Sequence, residues 1–280
     1  VVVPDREFPA NVYPWRMLDD RGVRLELLPL TAEGWPNEEA LLQRVADPRV
    51  RVLAVSLVQF HNGYRIDLAR LGRRCRETDT VLVVDAIQGI GIVPCDLGQM
   101  EVDFLACGAQ KWLLSPWGSG FLYVNRRWLD RLRPPFAGWT AFEGTDDFAD
   151  LCRYETRWRA DSRRFELVTL PFQDFVGMNA SLELLLEVGV DRIGGHVRAT
   201  HEPVLAWADR RGVRVASPRD SRGSGILALA LADPQGARET LQQAGIGCSV
   251  REGLLRFSPH CYTSVADMER VVEVLERALG

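Results

Sequence analysis

Lysine is almost absent from this chain. Of its 34 Lys and Arg residues, 33 are Arg and one is Lys111. A bias toward arginine removes lysine wherever a fixed cation suffices, so a lysine that persists alone points to chemistry arginine cannot perform. Arginine stays protonated, whereas a desolvated lysine becomes a neutral amine that forms a Schiff base with a carbonyl. Paired cysteines are also missing: the six are scattered with no C-x-x-C, as expected of buried thiols in a reducing compartment. The four histidines show no H-E-x-x-H or other ligand spacing, so no metal is expected. No apolar run approaches the roughly 18 residues that span a bilayer. The opening residues show no secretory signal, and the net charge of −4 gives no basic excess for nucleic acid. Neither a membrane nor a nucleic acid is therefore expected as a partner, and the cytoplasm is the expected location.

What remains is the composition of a folded globular protein, 46% hydrophobic and 26% charged over 280 residues. The first half alternates. Residues 23–30, 50–58, 80–84, 104–107 and 120–124 read as strands, and 37–45 and 66–77 as helices between them. This order predicts an α/β domain with a mostly parallel sheet. Residues 134–164 are rich in Trp and Arg and lack periodicity, which predicts a long ordered loop. Helices are expected at 170–188, 191–211, 234–244 and 266–279, and strands at 213–216, 225–230, 247–251 and 254–258. The expected division is a large domain over 1–189 and a smaller α+β domain over 190–280. The chain opens inside an apolar run, as though cut into a strand.

Two polar residues interrupt these apolar runs where ligands bind. Asp85 follows four apolar residues in VLVVDAIQ and so ends a strand, and the carboxyl ends of open α/β sheets are where ligands bind. It reads either as a cap on the next turn or as the partner of a buried cation, for which a protonated pyridinium nitrogen would serve. Lys111 follows another strand in DFLACGAQKWLLS, with Trp112 and Leu113 as apolar cover, so the two side chains can converge on one crevice.

The stretch VDAIQGIGIVPCDLGQMEVDFLACGAQKWLLSPWGSGFLYV resembles the core of the class V aminotransferases, pyridoxal-phosphate enzymes of fold type I. The family includes cysteine desulfurases, kynureninases and isopenicillin N epimerase-like proteins, and the last two are the expected branch. The resemblance implies pyridoxal 5'-phosphate as cofactor, an α-amino acid as substrate, and transamination, epimerisation or β-elimination as the reaction. It implies that Lys111 holds the cofactor as an aldimine and later moves the α-proton, that Asp85 keeps the ring nitrogen protonated, and that Gln88 bonds the ring oxygen or the aldimine side. Gln110 takes a position that often contacts the phosphate, and Gly108 stands where desulfurases carry a phosphate-binding Ser. Phe8, in EFPANVYP, resembles the residue stacked on the cofactor ring. Trp139 and Thr169 resemble positions that reach the phosphate from the neighbouring subunit, implying a homodimer with shared sites. Arg256 resembles the arginine that forks the substrate carboxylate, with Arg251 assisting.

Two departures accompany the resemblance. The desulfurase nucleophile sits on a loop between the equivalents of Arg251 and Arg256, where this chain has only Glu252, Gly253, Leu254 and Leu255. Cys248 and Cys261 lie outside that gap, so no persulfide mechanism is expected. The family also has a stretch ahead of Phe8 with a phosphate-binding turn, and the large domain is expected to lack it. That gap and Gly108 favour the alternative of a catalytically silent binding or dimerisation module; Asp85, Gln88 and the lone Lys111 oppose it. A different α/β enzyme is disfavoured, because the chain has no G-x-G-x-x-G after a strand, no Walker loop and no G-x-S-x-G elbow.

Overall fold

The computed structural model describes residues 1–279. Six strands form the first sheet: β1 (Val2–Pro4), β2 (Glu26–Leu28), β3 (Val52–Ser56), β4 (Val81–Asp85), β5 (Phe104–Gly108) and β6 (Gly120–Val124), in the order β2-β1-β3-β4-β5-β6. All neighbours are parallel except β5 and β6, which are antiparallel from Phe104↔Val124 to Gly108↔Gly120. The apolar runs explain the sheet. Val3, Leu53, Val55, Leu82 and Leu105 are buried, as interior parallel strands require when helices cover their faces.

Among the described residues ten α-helices accompany the strands: α1 (Tyr13–Arg16), α2 (Glu38–Arg44), α3 (Leu68–Glu77), α4 (Leu97–Met100), α5 (Arg126–Leu129), α6 (Phe172–Val188), α7 (Val190–Thr200), α8 (Glu202–Arg211), α9 (Pro234–Gln243) and α10 (Val265–Leu279). The starts of α2 and α3 are set by caps: Asn37 accepts from the Ala40 N–H and Asp67 from the Arg70 N–H. Ahead of α10, Ser264 and Asp267 cap each other reciprocally: the Ser264 N–H and hydroxyl donate to the Asp267 carboxylate, and the Asp267 N–H donates to Ser264 Oγ.

The single helix expected over 191–211 is two. The first ends at His201 and the second carries Pro203 in its first turn. Proline donates no backbone hydrogen bond and crowds the carbonyl four residues back, so it is tolerated only where a helix begins. The 134–164 stretch is ordered by side chains. Arg159 donates to the Thr140 carbonyl and to both Asp146 oxygens, and Phe142 stacks on Trp158 at 4.6 Å.

A second sheet, antiparallel throughout, holds β7 (Arg214–Val215), β8 (Leu227–Ala230), β9 (Ser249–Arg251) and β10 (Leu254–Phe257) in the order β7-β8-β10-β9. Its core comprises Trp207, Leu229, Leu241, Leu255 and Leu275, separate from the apolar cluster of the first sheet.

Asp103 pins the start of β5 to its neighbours. Its buried carboxylate accepts from the Leu82 N–H at 2.9 Å, the Arg127 guanidinium at 2.6 and 2.7 Å, and the Trp128 indole at 2.8 Å. Asp103→Ala strands all three donors and is expected to cost about 3–5 kcal/mol. Chemical denaturation checks this; a loss below about 1 kcal/mol would show the network to be dispensable.

Candidate active site

The parallel ladder brings the expected residues to one edge. Ser56 pairs with Asp85 and Asp85 with Ala106, so the ends of β3, β4 and β5 lie side by side. Phe8 follows β1, Phe60 follows β3, Gln88 follows β4 and Lys111 follows β5. Phe8, Phe60, Gln88 and Lys111 line one cavity of about 420 Å³, closed by Arg251 and Arg256 of the second sheet and by Ser258, His260 and Tyr262 just after it. A wider groove of about 600 Å³ beside α2 and α3 contains no lysine, and its charged groups are already engaged. There Glu38 accepts from Tyr64, Arg70 pairs with Glu39, and Arg222 with Asp220.

Lys111 and Asp85 are coupled yet poorly solvated. Burial pulls the Lys111 amine below its ordinary value of 10.5; the Asp85 charge opposes this, and Arg256 and Arg251 add to it. Burial likewise pushes the Asp85 carboxyl up, against the Ile87 N–H that donates to it at 3.0 Å and the Lys111 charge. Desolvation outweighs the mutual attraction on both sides. The Lys111 Nζ lies 5.7 Å from the centre of the Phe8 ring, whose edge meets Phe60 at 5.3 Å.

Arg256 is the second unsatisfied group. It donates to the Phe60 carbonyl at 2.5 Å, and its buried Nε has no protein partner among the described residues. Burial, reinforced by Arg251, lowers it to about 10. A buried guanidinium with an unpaired N–H is a site for a carboxylate. Arg251 is exposed at the same mouth. Between these arginines, Glu252 and Gly253 take φ of +48° and +77°, making a two-residue hairpin turn with Arg251 opposite Leu254.

The remaining expected residues lie elsewhere. Gln110 does not line the cavity; its side chain folds over Gly108, where a Cβ would stand 2.5 Å from the Gln110 Oε1. Trp139, against Phe148, and Thr169 are both exposed and outside the cavity of their own chain. Sequence reasoning missed Phe60, Ser258, His260 and Tyr262 as lining residues. The last three lie in RFSPHCY, directly after Arg256, and proximity to that arginine was the available signal.

The family model for aminotransferase class-V matches residues 1–271. The chain belongs to the class V aminotransferases. Members of this pyridoxal-phosphate-dependent family are enzymes, and the architecture is their fold type I. An uncharacterized aminotransferase of Bacillus subtilis is 28% identical, covering 98% of this chain and 70% of that protein. A probable cysteine desulfurase of Pseudomonas putida is 29% identical, covering 100% and 71%. Among solved structures, the cysteine desulfurase CsdA of Escherichia coli is 25% identical with a TM-score of 0.86 over 99% of this chain and 71% of that one. An apo cysteine desulfurase of Thermococcus onnurineus, 21% identical, has a TM-score of 0.87 and shares the fold over 99% of this chain and 72% of that one. Among the described residues no helix is long and apolar enough to cross a membrane, and no His, Cys, Asp and Glu cluster suits a metal.

The lone lysine makes the electrostatics directly measurable. Protein labelled with 13C at the lysine ε-carbon is expected to give one resonance titrating below 10.5. Asp85→Asn, which removes the attracting charge, should lower that midpoint further, and Arg256→Gln should raise it. An unshifted wild-type midpoint would contradict the desolvated amine.

Proposed function

We propose that this class V aminotransferase acts on an α-amino acid, with Lys111 as covalent anchor for pyridoxal phosphate and as the group that moves the substrate's α-proton. The observation that carries this reading is the pair of polar groups that flank the desolvated Lys111 amine. Asp85, half-buried at the end of β4 behind the cavity lining, feels the Lys111 charge without an ion pair among the described residues, and Arg256 lines the cavity with an Nε that has no protein partner there. A pyridinium nitrogen would satisfy the first and a substrate carboxylate the second. When bound, the cofactor supplies an electron sink for the carbanion left at the α-carbon.

The chain's own residues divide the remaining work. Phe8 provides a flat face, Gln88 a hydrogen bond to the ring, and Asp85 holds a proton on the ring nitrogen. Gln110 lies outside the cavity lining but would serve the phosphate from beside it, its amide standing over Gly108 where desulfurases carry a serine. Arg256 orients the α-carboxylate through a forked pair, with Arg251 adding positive potential at the mouth. Proton transfer by Lys111 is shared by transamination, epimerisation and β-elimination. A cysteine persulfide relay is not part of this proposal, because the hairpin between the two arginines holds only Glu252 and Gly253 in its turn.

We further propose that residues 1–189 form the cofactor-binding unit and 190–280 the smaller one, a division supported by two apolar cores. The protein acts as a homodimer in which Trp139 and Thr169 serve the partner's site. Their exposure outside their own cavity supports this, as do the exposed Phe136, Phe148 and Phe172 near them in sequence. Six free cysteines support a cytoplasmic location. Nothing in the comparisons with known proteins favours a catalytically silent relative.

The protein mixed with pyridoxal phosphate is expected to turn yellow and to act on an amino acid found by screening for absorbance changes. Lys111→Ala should lose the covalent adduct, and Lys111→Arg should be equally inactive, since arginine forms no imine. Turnover retained by Lys111→Arg would refute the reading. Arg256→Gln should weaken amino-acid binding by about 10- to 150-fold, the worth of a charge-assisted hydrogen bond, read as a rise in KM.

A further inference from the structure

Trp112, the residue after Lys111, is buried and lines the same cavity. Its ring packs on Gly225, where a Cβ would fall 2.5 Å from the indole, so only glycine allows the approach. The other face stacks on His260 at 5.4 Å and 26°, and His260 in turn stacks on Tyr262. Its carbonyl meets His260 Nε2 at 3.1 Å. His260 Nδ1 accepts from the Cys261 N–H at 2.7 Å, so Nε2 carries the proton and donates to that carbonyl. The second sheet's unit thus holds Trp112 both by its ring and by its backbone.

The indole N–H of Trp112 points at Gln88, with Nε1 3.0 Å from the Gln88 Oε1, and this bond is buried. An indole N–H can only donate, so it admits only the oxygen end of the amide. The NH2 end must then face the other way. Gln88 lines the cavity, and no protein acceptor meets its Nε2 among the described residues.

We propose that Trp112 is a positioning residue: its indole locks the Gln88 amide so that the NH2 group is a fixed hydrogen-bond donor to the phenolic oxygen of the cofactor ring. This deepens the proposed function and rests on it. A free amide would spend part of its time with the oxygen end toward the ring, where it would repel an ionised phenolic oxygen. The lock removes that orientation. It also ties the donor to the second unit through His260, so displacement of that unit would release the amide.

The test uses the holoenzyme and two readouts. The first is the pH midpoint of the bound cofactor's visible absorption. A donor to the phenolic oxygen disfavours protonation of the neighbouring nitrogen, so its loss raises the midpoint. Trp112→Phe keeps an aromatic ring and loses the N–H. It is expected to raise the midpoint by roughly 0.4 to 1 pH unit, the worth of one hydrogen bond. Gln88→Ala should shift the midpoint the same way, and the double variant no further than Gln88→Ala alone. A wild-type midpoint in Trp112→Phe, or shifts that add in the double variant, would overturn the proposal. The second readout needs neither cofactor nor a Trp112 variant. Of the eight tryptophan indole 15N–H resonances, one should lose its exchange protection in Gln88→Ala; eight unchanged resonances would overturn the lock. Protein that keeps this indole bond yet takes up no pyridoxal phosphate would overturn the proposed function and the donor role with it, leaving only a structural contact.

Discussion

Everything at this site depends on one desolvated amine facing one desolvated carboxylate. In water, Lys111 and Asp85 would both be charged and of no chemical use. Burial moves each toward its neutral form, and their attraction does not fully restore them. That imbalance is sustained by the fold. Parallel strands bring Asp85 and the turn bearing Lys111 to the same edge, under a cover of Phe8, Phe60 and Trp112. Burial that destabilises an isolated charge lowers the pKa of the Lys111 amine and so favours its neutral form.

The second sheet completes the site by reaching across it. Arg256 donates to the Phe60 carbonyl in the loop after β3, and His260 donates to the Trp112 carbonyl beside Lys111. Each contact has two consequences: it ties the segment bearing the second sheet to the first sheet, and it fixes a group at the cavity. The tight β9–β10 hairpin matters for what it leaves out. Relatives this chain matches include a cysteine desulfurase and probable ones, yet the turn here is a two-residue hairpin that carries no thiol.

Much of this was legible in the sequence, for physical reasons that differ by residue. The β4 run ending at Asp85 and the isolation of Lys111 among arginines announced two chemical groups before any coordinates. Ser264, with Asp267 three residues on, was legible as one helix start, and the two side chains cap α10. The break at His201 was equally readable, since Pro203 forbids a continuous helix, but the apolar pattern of 191–211 masked it. What the chain order hid were the contacts between distant segments. Nothing local says that Gly225 admits the Trp112 ring, that His260 pairs with a carbonyl 148 residues away, or that the Gln110 amide covers Gly108. These depend on the two sheets meeting, and sequence periodicity reports only which face of an element is buried, not what it is buried against.

The most direct test of the central claim is borohydride reduction of the protein mixed with pyridoxal phosphate, followed by peptide mass mapping. The account requires one stable adduct per chain, on the peptide containing Lys111, with Asp85→Asn weakening its formation. A reduced adduct found elsewhere, or none at saturating cofactor, would contradict it.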